Sequence, residues 1–78
     1  MNFTVNVPPI AETQITGING SLIANVDGIQ YEFVSASDGT SVYANDKFIS
    51  RDEIEKGAVS TELLSAVVEM MQNLKWIS

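Results

Sequence analysis

The acidic residues Asp52, Glu53 and Glu55 are the densest group of side chains in this sequence that could do chemistry. A pair of carboxylates can act as general acid and general base on a glycosidic bond. However, the order Ser50, Arg, Asp, Glu53 is a capping box, and acids in a first helical turn complement the helix dipole. The chain has no histidine and no cysteine, so no imidazole or thiolate is available as base or nucleophile. We therefore expect a solvent-exposed helix start and no enzyme.

The glycine turns in the middle of the chain match neither a calcium loop nor a phosphate loop. An EF-hand needs acids at the first, third and fifth positions before its glycine, and the first position here would be Ile23 or Val34. A phosphate loop ends in Gly-Lys-Ser/Thr, which this sequence lacks. With 78 residues, the domain also has little room for a ligand pocket of about 300 Å³. We expect no metal and no cofactor.

The balance of charge limits the classes of partner. Four basic and ten acidic residues give a formal net charge of −6. Nucleic acid needs basic side chains to neutralise its phosphates, so direct nucleic-acid binding is not expected. No run approaches the about 18 apolar residues of a membrane span, and no signal peptide is visible. The expected protein is cytoplasmic, binds no membrane, and has as its partner another protein with a basic surface.

The predicted fold is organised around a hairpin in residues 21–35, with Asp27-Gly28 at its turn. Asp-Gly between two alternating apolar runs is typical of a type I′ turn, because both central residues take a positive φ. A slip of one residue would mix the apolar and polar faces, so turn chemistry and burial specify the same register. The three pairs predicted on the apolar face are Val26 with Ile29, Ala24 with Tyr31 and Leu22 with Phe33.

The residues before this hairpin predict two short strands. Residues 3–7 alternate apolar and polar side chains and stop at a Pro-Pro pair, which is typical of an edge or terminal strand. Residues 15–18 predict a brief second strand, which ends in an Asn-Gly turn at residues 19–20.

The residues after the hairpin predict more turns. An Asp-Gly turn at residues 38–39 places Ser35 opposite Val42. Residues 40–49 form either one long bulged strand or two strands joined by an Asn-Asp turn. We favour the extra turn, because one long strand would bury the carboxylate of Asp46 without a partner.

The C-terminal third predicts helices. The capping box begins a helix at about Arg51, Gly57 ends or bends it, and Ser60 or Thr61 caps a second segment that runs to about Lys75. This second segment carries a wide apolar stripe made of Leu63, Leu64, Val67, Val68, Met70, Met71 and Leu74. Four of these residues are predicted to be buried against the hairpin: Leu64, Val67, Val68 and Met71.

Residues 1–78 are therefore predicted to form a single small α+β domain. Its architecture is an antiparallel β-meander of about four or five short strands, covered on one face by a C-terminal helix that is broken near Gly57.

Small size, acidic charge and the lack of catalytic residue types favour a non-catalytic protein–protein interaction module. One form of this hypothesis is an acidic viral or mobile-element inhibitor or accessory protein that blocks the basic, nucleic-acid-binding surface of a host protein. The alternative is a homo-oligomeric structural or assembly subunit, such as a homodimer, joined through a sheet edge or the C-terminal helix. The residues predicted to bind a partner are Asp52, Glu53, Glu55, Glu62, Glu69, Met70, Met71 and Trp76.

Overall fold

The computed structural model describes residues 2–78 and shows a five-stranded antiparallel sheet with three helices. Each strand pairs with the next strand in the chain, so the predicted meander and its C-terminal helix are confirmed. The elements are β1 (Thr4–Asn6), α1 (Ile10–Thr16), β2 (Ile18–Val26), β3 (Ile29–Ala36), β4 (Gly39–Ala44), β5 (Lys47–Ile49), α2 (Arg51–Glu55) and α3 (Thr61–Asn73).

The central hairpin of β2 and β3 has the predicted register. Asp27 and Gly28 form its turn with φ values of 51° and 79°, the left-handed conformation that a type I′ turn requires. All three predicted apolar pairs are present, as Val26 with Ile29, Ala24 with Tyr31 and Leu22 with Phe33.

The register gives the sheet two distinct faces, because residues directly paired on antiparallel strands point to the same side. The inner face carries a row across all five strands, formed by Val5, Leu22, Phe33, Val42 and Ile49. The outer face carries the neighbouring row, formed by Thr4, Ile23, Glu32, Tyr43 and Phe48. Side chains of α3 pack on the inner face, and together with it they form one core of Leu22, Ala24, Phe33, Val42, Ile49, Val59, Leu63, Val67 and Met71.

The predicted strand over residues 15–18 is wrong, because Ile15 and Thr16 belong to helix α1 and only Ile18 lies in a strand, at the start of β2. The backbone N–H of Thr13 donates to the carbonyl of Pro9 at 2.9 Å, which closes the first turn. Gly17 ends the helix with a φ of 72°, and its N–H donates to the carbonyl of Thr13. Proline before a short segment and glycine after it are the usual helix boundaries, and here they outweigh the β-branched residues within it.

The predicted turn at Asn19 and Gly20 is also wrong, because β2 runs straight through both residues. The ladder shifts between Ile18 and Gly20, as at a β-bulge. A Cβ atom on Gly20 would lie 2.6 Å from the carbonyl oxygen of Asn6 and 2.6 Å from the ring of Trp76. Glycine is needed here because two neighbours approach the backbone closely, and not because the chain reverses.

The turn between β3 and β4 lies one residue earlier than predicted. Ala36 pairs with Gly39, so the loop residues are 37 and 38, and Ser35 pairs with Thr40 instead of Val42. The predicted register is wrong by two residues. Because side chains alternate with a period of two, this shift leaves the same residues on the inner face, and burial alone did not reveal it.

Residues 40–49 form two strands, which confirms the extra turn. Asn45 and Asp46 occupy it with φ values of 48° and 67°. The Asn45 side chain secures the turn to β3, since its Oδ1 accepts a hydrogen bond from the N–H of Gln30 at 2.9 Å. Asp46 is exposed at the turn, so its carboxylate avoids burial.

Helices α2 and α3 begin where the sequence predicts, whereas α1 was not predicted. In α2, the Ser50 hydroxyl accepts from the N–H of Glu53 at 3.2 Å, and the Glu53 carboxylate accepts from the N–H of Ser50, which completes the capping box. Ser60 caps α3 by accepting from the N–H of Leu63 at 3.1 Å. Helix α3 has 13 residues and ends at Asn73. Within residues 2–78, no helix is both long and apolar enough to cross a membrane.

Candidate binding groove

An apolar groove of about 400 Å³ opens on the inner face of the sheet, between α2 and α3. Five strands spaced about 4.8 Å apart make a face roughly 20 Å wide, whereas a helix with its side chains is only about 10–12 Å across. A single helix therefore leaves part of such a face uncovered, and the short α2 borders the uncovered part at β4 and β5. We call this feature the inner groove.

The inner groove is lined mainly by hydrophobic side chains. Its apolar residues are Phe33, Val42, Phe48, Ile49, Ile54, Leu64, Val67, Val68, Met71 and Ile77, and its polar residues are Thr40, Ser41, Arg51 and Glu55. The volume falls within the range of roughly 300–1,000 Å³ that is usual for ligand sites. The expectation that so small a domain has little room for a pocket is therefore wrong.

Val68 marks the open side of the groove and corrects a prediction. It was expected to be buried, but 45% of its surface is exposed. The row that enters the core is Leu63, Val67 and Met71, at intervals of four residues. Val68 follows Val67 by about 100° around the helix, which turns it away from the core and toward the groove. The apolar stripe of α3 is wider than the area that the sheet covers.

The three predicted acids of α2 are all exposed, but their environments differ. Glu55 lines the inner groove. Glu53 is engaged in the capping box, so part of its hydrogen-bonding capacity is already used. The three acids lie between the basic residues Arg51 and Lys56 in the chain, so α2 and its C-cap do not present a purely acidic surface.

The acids of α3 lie outside the lining of the inner groove. Glu62 and Glu69 are exposed, and no lysine or arginine occurs between Thr61 and Asn73. Glu69 borders a separate shallow depression that it shares with Leu64 and Val68, two residues that also line the groove. The charged residues of the groove lining are Arg51 and Glu55, which form a mixed rim on α2.

The predicted apolar contact residues lie mostly in or beside the core. Met71 is 1% exposed, so it has almost no surface to offer a partner. Trp76 is half-buried and packs over Gly20. Met70 is half-buried on α3, two residues and therefore about 200° from Val68, on the side away from the groove. Of these three side chains, only Met71 lines the inner groove together with an α2 acid, Glu55.

Comparison with protein-family models, with curated proteins and with solved structures finds no match for this chain. A function for it has to be argued from the chemistry of its own surface. The inner groove is a concave, apolar part of that surface. Sequence reasoning missed it. The usable signal was the apolar stripe on α3, which is wider than packing against one sheet requires.

A second, smaller cleft of about 220 Å³ lies on the outer face beside α1. Its lining includes the carboxylates of Glu12 and Glu32 and the hydroxyls of Thr16 and Ser21. Glu12 was not among the predicted acids, because its segment was not recognised as a helix that packs on the sheet. Residues 2–78 contain no group of three or more acidic, histidine or cysteine side chains placed to hold a metal ion.

Proposed function

We propose that this chain is a non-catalytic protein-interaction module that binds apolar side chains of a partner protein in the inner groove. The observation that supports this proposal is an apolar groove of about 400 Å³ on the inner face, beside the exposed side chain of Val68. Exposed apolar concavities on small proteins are typical of binding surfaces. The proposed setting is the cytoplasm.

The shape of the groove suits an amphipathic segment of a partner. Helices α2 and α3 border it, and residues of β4 and β5 such as Val42 and Ile49 contribute to its lining. Amphipathic helices bind such grooves by inserting side chains spaced three or four residues apart. The proposed partner therefore presents a row of apolar anchors, and not a single small ligand.

The polar residues of the groove support binding over catalysis. Glu55 is its only carboxylate, and the two hydroxyls come from Thr40 and Ser41. The chain has no histidine or cysteine to act as a base near neutral pH or as a thiolate nucleophile. These residues can orient a bound segment by hydrogen bonds, with Arg51 and Glu55 on the mixed rim.

The charge of α3 supports a partner with basic residues on one side of its apolar row. Glu62 and Glu69 lie on a helix without cations, and the whole chain has a net charge of −6. Complementary charge at a rim mainly raises association rates and sets orientation. The basic partner predicted from the sequence thus stays part of the proposal, with the α3 acids as its main contacts.

The apolar part of this proposal predicts the effect of Val68→Gln on peptide binding. The probe is an amphipathic helical peptide of leucine and lysine, hereafter the Leu–Lys peptide. Removing one partly exposed valine from the contact should weaken binding by roughly five- to tenfold, since burying a valine is worth about 1.5–3 kcal/mol and tenfold corresponds to about 1.4 kcal/mol. Isothermal titration calorimetry measures the affinity.

The matched control for this prediction is Val5→Gln. Val5 is 42% exposed, close to the 45% of Val68, but it lies on β1 outside the groove. We expect the affinity of the Val5→Gln variant for the Leu–Lys peptide to differ from that of the wild type by less than about twofold. Equal losses in the two variants would remove the evidence for the groove as the contact surface.

The charge part of the proposal predicts that Glu69→Lys slows association of the Leu–Lys peptide. Glu69 borders the depression next to the groove, whereas Asp38→Lys, in the turn between β3 and β4, makes the same change in net charge away from both. At low salt we expect a several-fold lower association rate for Glu69→Lys than for Asp38→Lys. The difference should shrink as salt rises, because screening acts over about 8 Å at physiological ionic strength. Identical stopped-flow association rates for the two variants would contradict the charge part of the proposal and leave only its apolar contact.

A homo-oligomeric assembly subunit is the second candidate function. The edge strands β1 and β5 have three residues each, so a sheet edge offers few backbone hydrogen bonds to a second copy. The observation that favours self-association is instead a group of highly exposed apolar side chains at and around α1.

A further inference from the structure

The cleft on the outer face of the sheet holds a buried hydroxyl that the fold leaves without a partner. We call this cleft of about 220 Å³ the outer cleft. Ser21 and Ser35 are the two buried polar residues within residues 2–78. The Ser35 hydroxyl accepts a hydrogen bond from the Asn19 side chain at 3.4 Å, whereas the Ser21 hydroxyl has no partner in the described part of the chain. Buried polar side chains are usually hydrogen-bonded, so the Ser21 hydroxyl is available to a ligand.

The Ser21 hydroxyl faces into the outer cleft. Ser21 pairs with Asn6 on β1 and with Val34 on β3, and all three residues line the cleft. Only 5% of Ser21 is exposed, yet every fully enclosed side-chain nitrogen or oxygen in residues 2–78 has a hydrogen-bond partner. The unpartnered oxygen of Ser21 is therefore not fully enclosed, and the open space beside it is the outer cleft.

The charged side chains of the outer cleft are both carboxylates. Glu12 comes from α1 and Glu32 from β3, and residues 6–34, which form the cleft, contain no lysine or arginine. The Thr16 hydroxyl is already engaged, because it donates to the carbonyl of Glu12 at 2.8 Å and accepts from the N–H of Ile18 at 3.3 Å. The cleft therefore offers two carboxylates and one buried hydroxyl as hydrogen-bond acceptors, with no cation of its own to neutralise the carboxylates.

These acceptors match a guanidinium group on an aliphatic stem. A guanidinium presents five N–H donors in one plane, pairs with carboxylates through two parallel hydrogen bonds, and is more weakly hydrated than an ammonium. The apolar residues of the cleft, Pro8, Ile18 and Val34, form a surface for the methylene stem. The volume is below the roughly 300–1,000 Å³ of sites for drug-sized ligands, so one side chain fits the cleft better than a larger molecule.

We propose that the outer cleft binds a guanidinium group, which pairs with the carboxylates of Glu12 and Glu32 and donates a hydrogen bond to the Ser21 hydroxyl. An arginine side chain of another protein and a free guanidino compound share this chemistry. The outer cleft and the inner groove lie on opposite faces of the sheet, so this inference does not depend on the proposed function.

Titration of the ¹⁵N-labelled protein with N-acetyl-L-arginine amide, hereafter blocked arginine, tests the site. We expect saturable amide shifts around Ser21 and Glu32, with a dissociation constant on the order of 1 mM, as is usual for so small a ligand. Blocked citrulline has nearly the same shape without the charge, so its affinity should be at least about tenfold lower. Blocked lysine should bind several-fold more weakly than blocked arginine, because an ammonium lacks the planar arrangement of donors.

Agmatine distinguishes the two sources of the guanidinium, because it carries this group on a free small molecule. Tighter binding of blocked arginine than of agmatine would support the site and assign it to a protein side chain. Tighter binding of agmatine would support the site and assign it to a free guanidino compound. Failure of both ligands to bind would overturn the proposal.

Single variants test the role of each side chain. Glu12→Gln and Glu32→Gln should each weaken binding of blocked arginine by at least about fivefold, because each removes a charged partner. The matched control is Glu62→Gln, which removes the same charge from an exposed position on α3 and should change the affinity by less than about twofold. Ser21→Ala should weaken binding by about three- to tenfold, as expected for one lost hydrogen bond. Its urea midpoint should stay unchanged, because this hydroxyl has no hydrogen bond within the fold to lose.

Four results would overturn the inference. They are shifts that rise without saturation, equal binding of blocked citrulline, equal losses of affinity in Glu12→Gln and Glu62→Gln, and the same saturable shifts with Mg²⁺, which would indicate a general attraction for cations. A Ser21→Ala variant with a lower urea midpoint and unchanged affinity would show that the hydroxyl is structural and would refute its place in the site. Binding of the Leu–Lys peptide at the inner groove is a separate measurement that these results leave unaffected.

Discussion

Val67→Asp is expected to unfold this domain, whereas Val68→Asp is expected to leave it folded. Val67 is 3% exposed and lies between Leu63 and Met71 in the row that meets the sheet. A carboxylate at this position would be buried without a partner, at a cost of several kcal/mol. A domain of this size has a stability on the order of 5 kcal/mol, so this single change removes most or all of it. Val68, one residue later, is 45% exposed, so a carboxylate at that position stays in contact with water.

Thermal and urea denaturation of the two variants check this expectation. Val68→Asp should keep a cooperative transition, with a loss of less than about 1 kcal/mol, as is usual for partly exposed positions. Val67→Asp should show no near-UV dichroism and no cooperative transition. If Val67→Asp melts like the wild type, α3 does not pack on the inner face through this row.

Gly20→Ala is expected to cause the second largest loss. The added methyl group would lie 2.6 Å from the carbonyl oxygen of Asn6 and 2.6 Å from the ring of Trp76, closer than real Cβ contacts. The backbone of Asn6 has little room to shift, so the indole of Trp76 has to move. Overpacking of this kind costs about 1–3 kcal/mol, which is a large fraction of the stability of a small domain.

Gly28→Ala is the matched control for this substitution. Gly28 has a φ of 79°, but nothing lies within 4 Å of the position of its added Cβ. Only backbone strain acts there, so its cost should be about 1 kcal/mol. Because the chain has a single tryptophan, the emission spectrum reports Trp76 directly and should shift for Gly20→Ala alone. Equal stability losses and unchanged emission in both variants would mean that Trp76 does not rest on β2.

The parts of the fold that sequence reasoning predicted are those where two independent signals agree. At Asp27-Gly28 the turn chemistry and the apolar alternation specify one register, and the structure has that register. At Ser50 the capping box coincides with the end of an alternating strand, and α2 begins there.

The parts that were missed are those where local patterns compete with tertiary contacts. Asn19-Gly20 is a strong turn signal in isolation, but the indole of Trp76, 56 residues away from Gly20 in the chain, requires a glycine within a strand. The turn predicted at residues 38–39 lies at 37–38, which changes the strand register by two residues and leaves the pattern of inner and outer faces unchanged. Such choices depend on packing partners that are distant in the chain.

The candidate site was missed for a geometric reason. Its acids were chosen by their position along the chain, and the structure places Glu53 in a helix cap and Met71 in the core. The inner groove arises instead from a mismatch between a five-stranded face and a single covering helix. The sequence contains both elements, but the area that α3 leaves uncovered depends on how the helix lies across the sheet.

The central claim is that the inner groove is the surface that binds a partner, and chemical-shift mapping tests it most directly. The ¹⁵N-labelled protein is titrated with the Leu–Lys peptide, and amide shifts are followed along the whole chain. We expect the largest shifts around Ile54, Leu64 and Val68, with little change at Thr4 and Ile23 on the outer face. Saturable shifts centred on the outer face, with those groove residues unchanged, would contradict it.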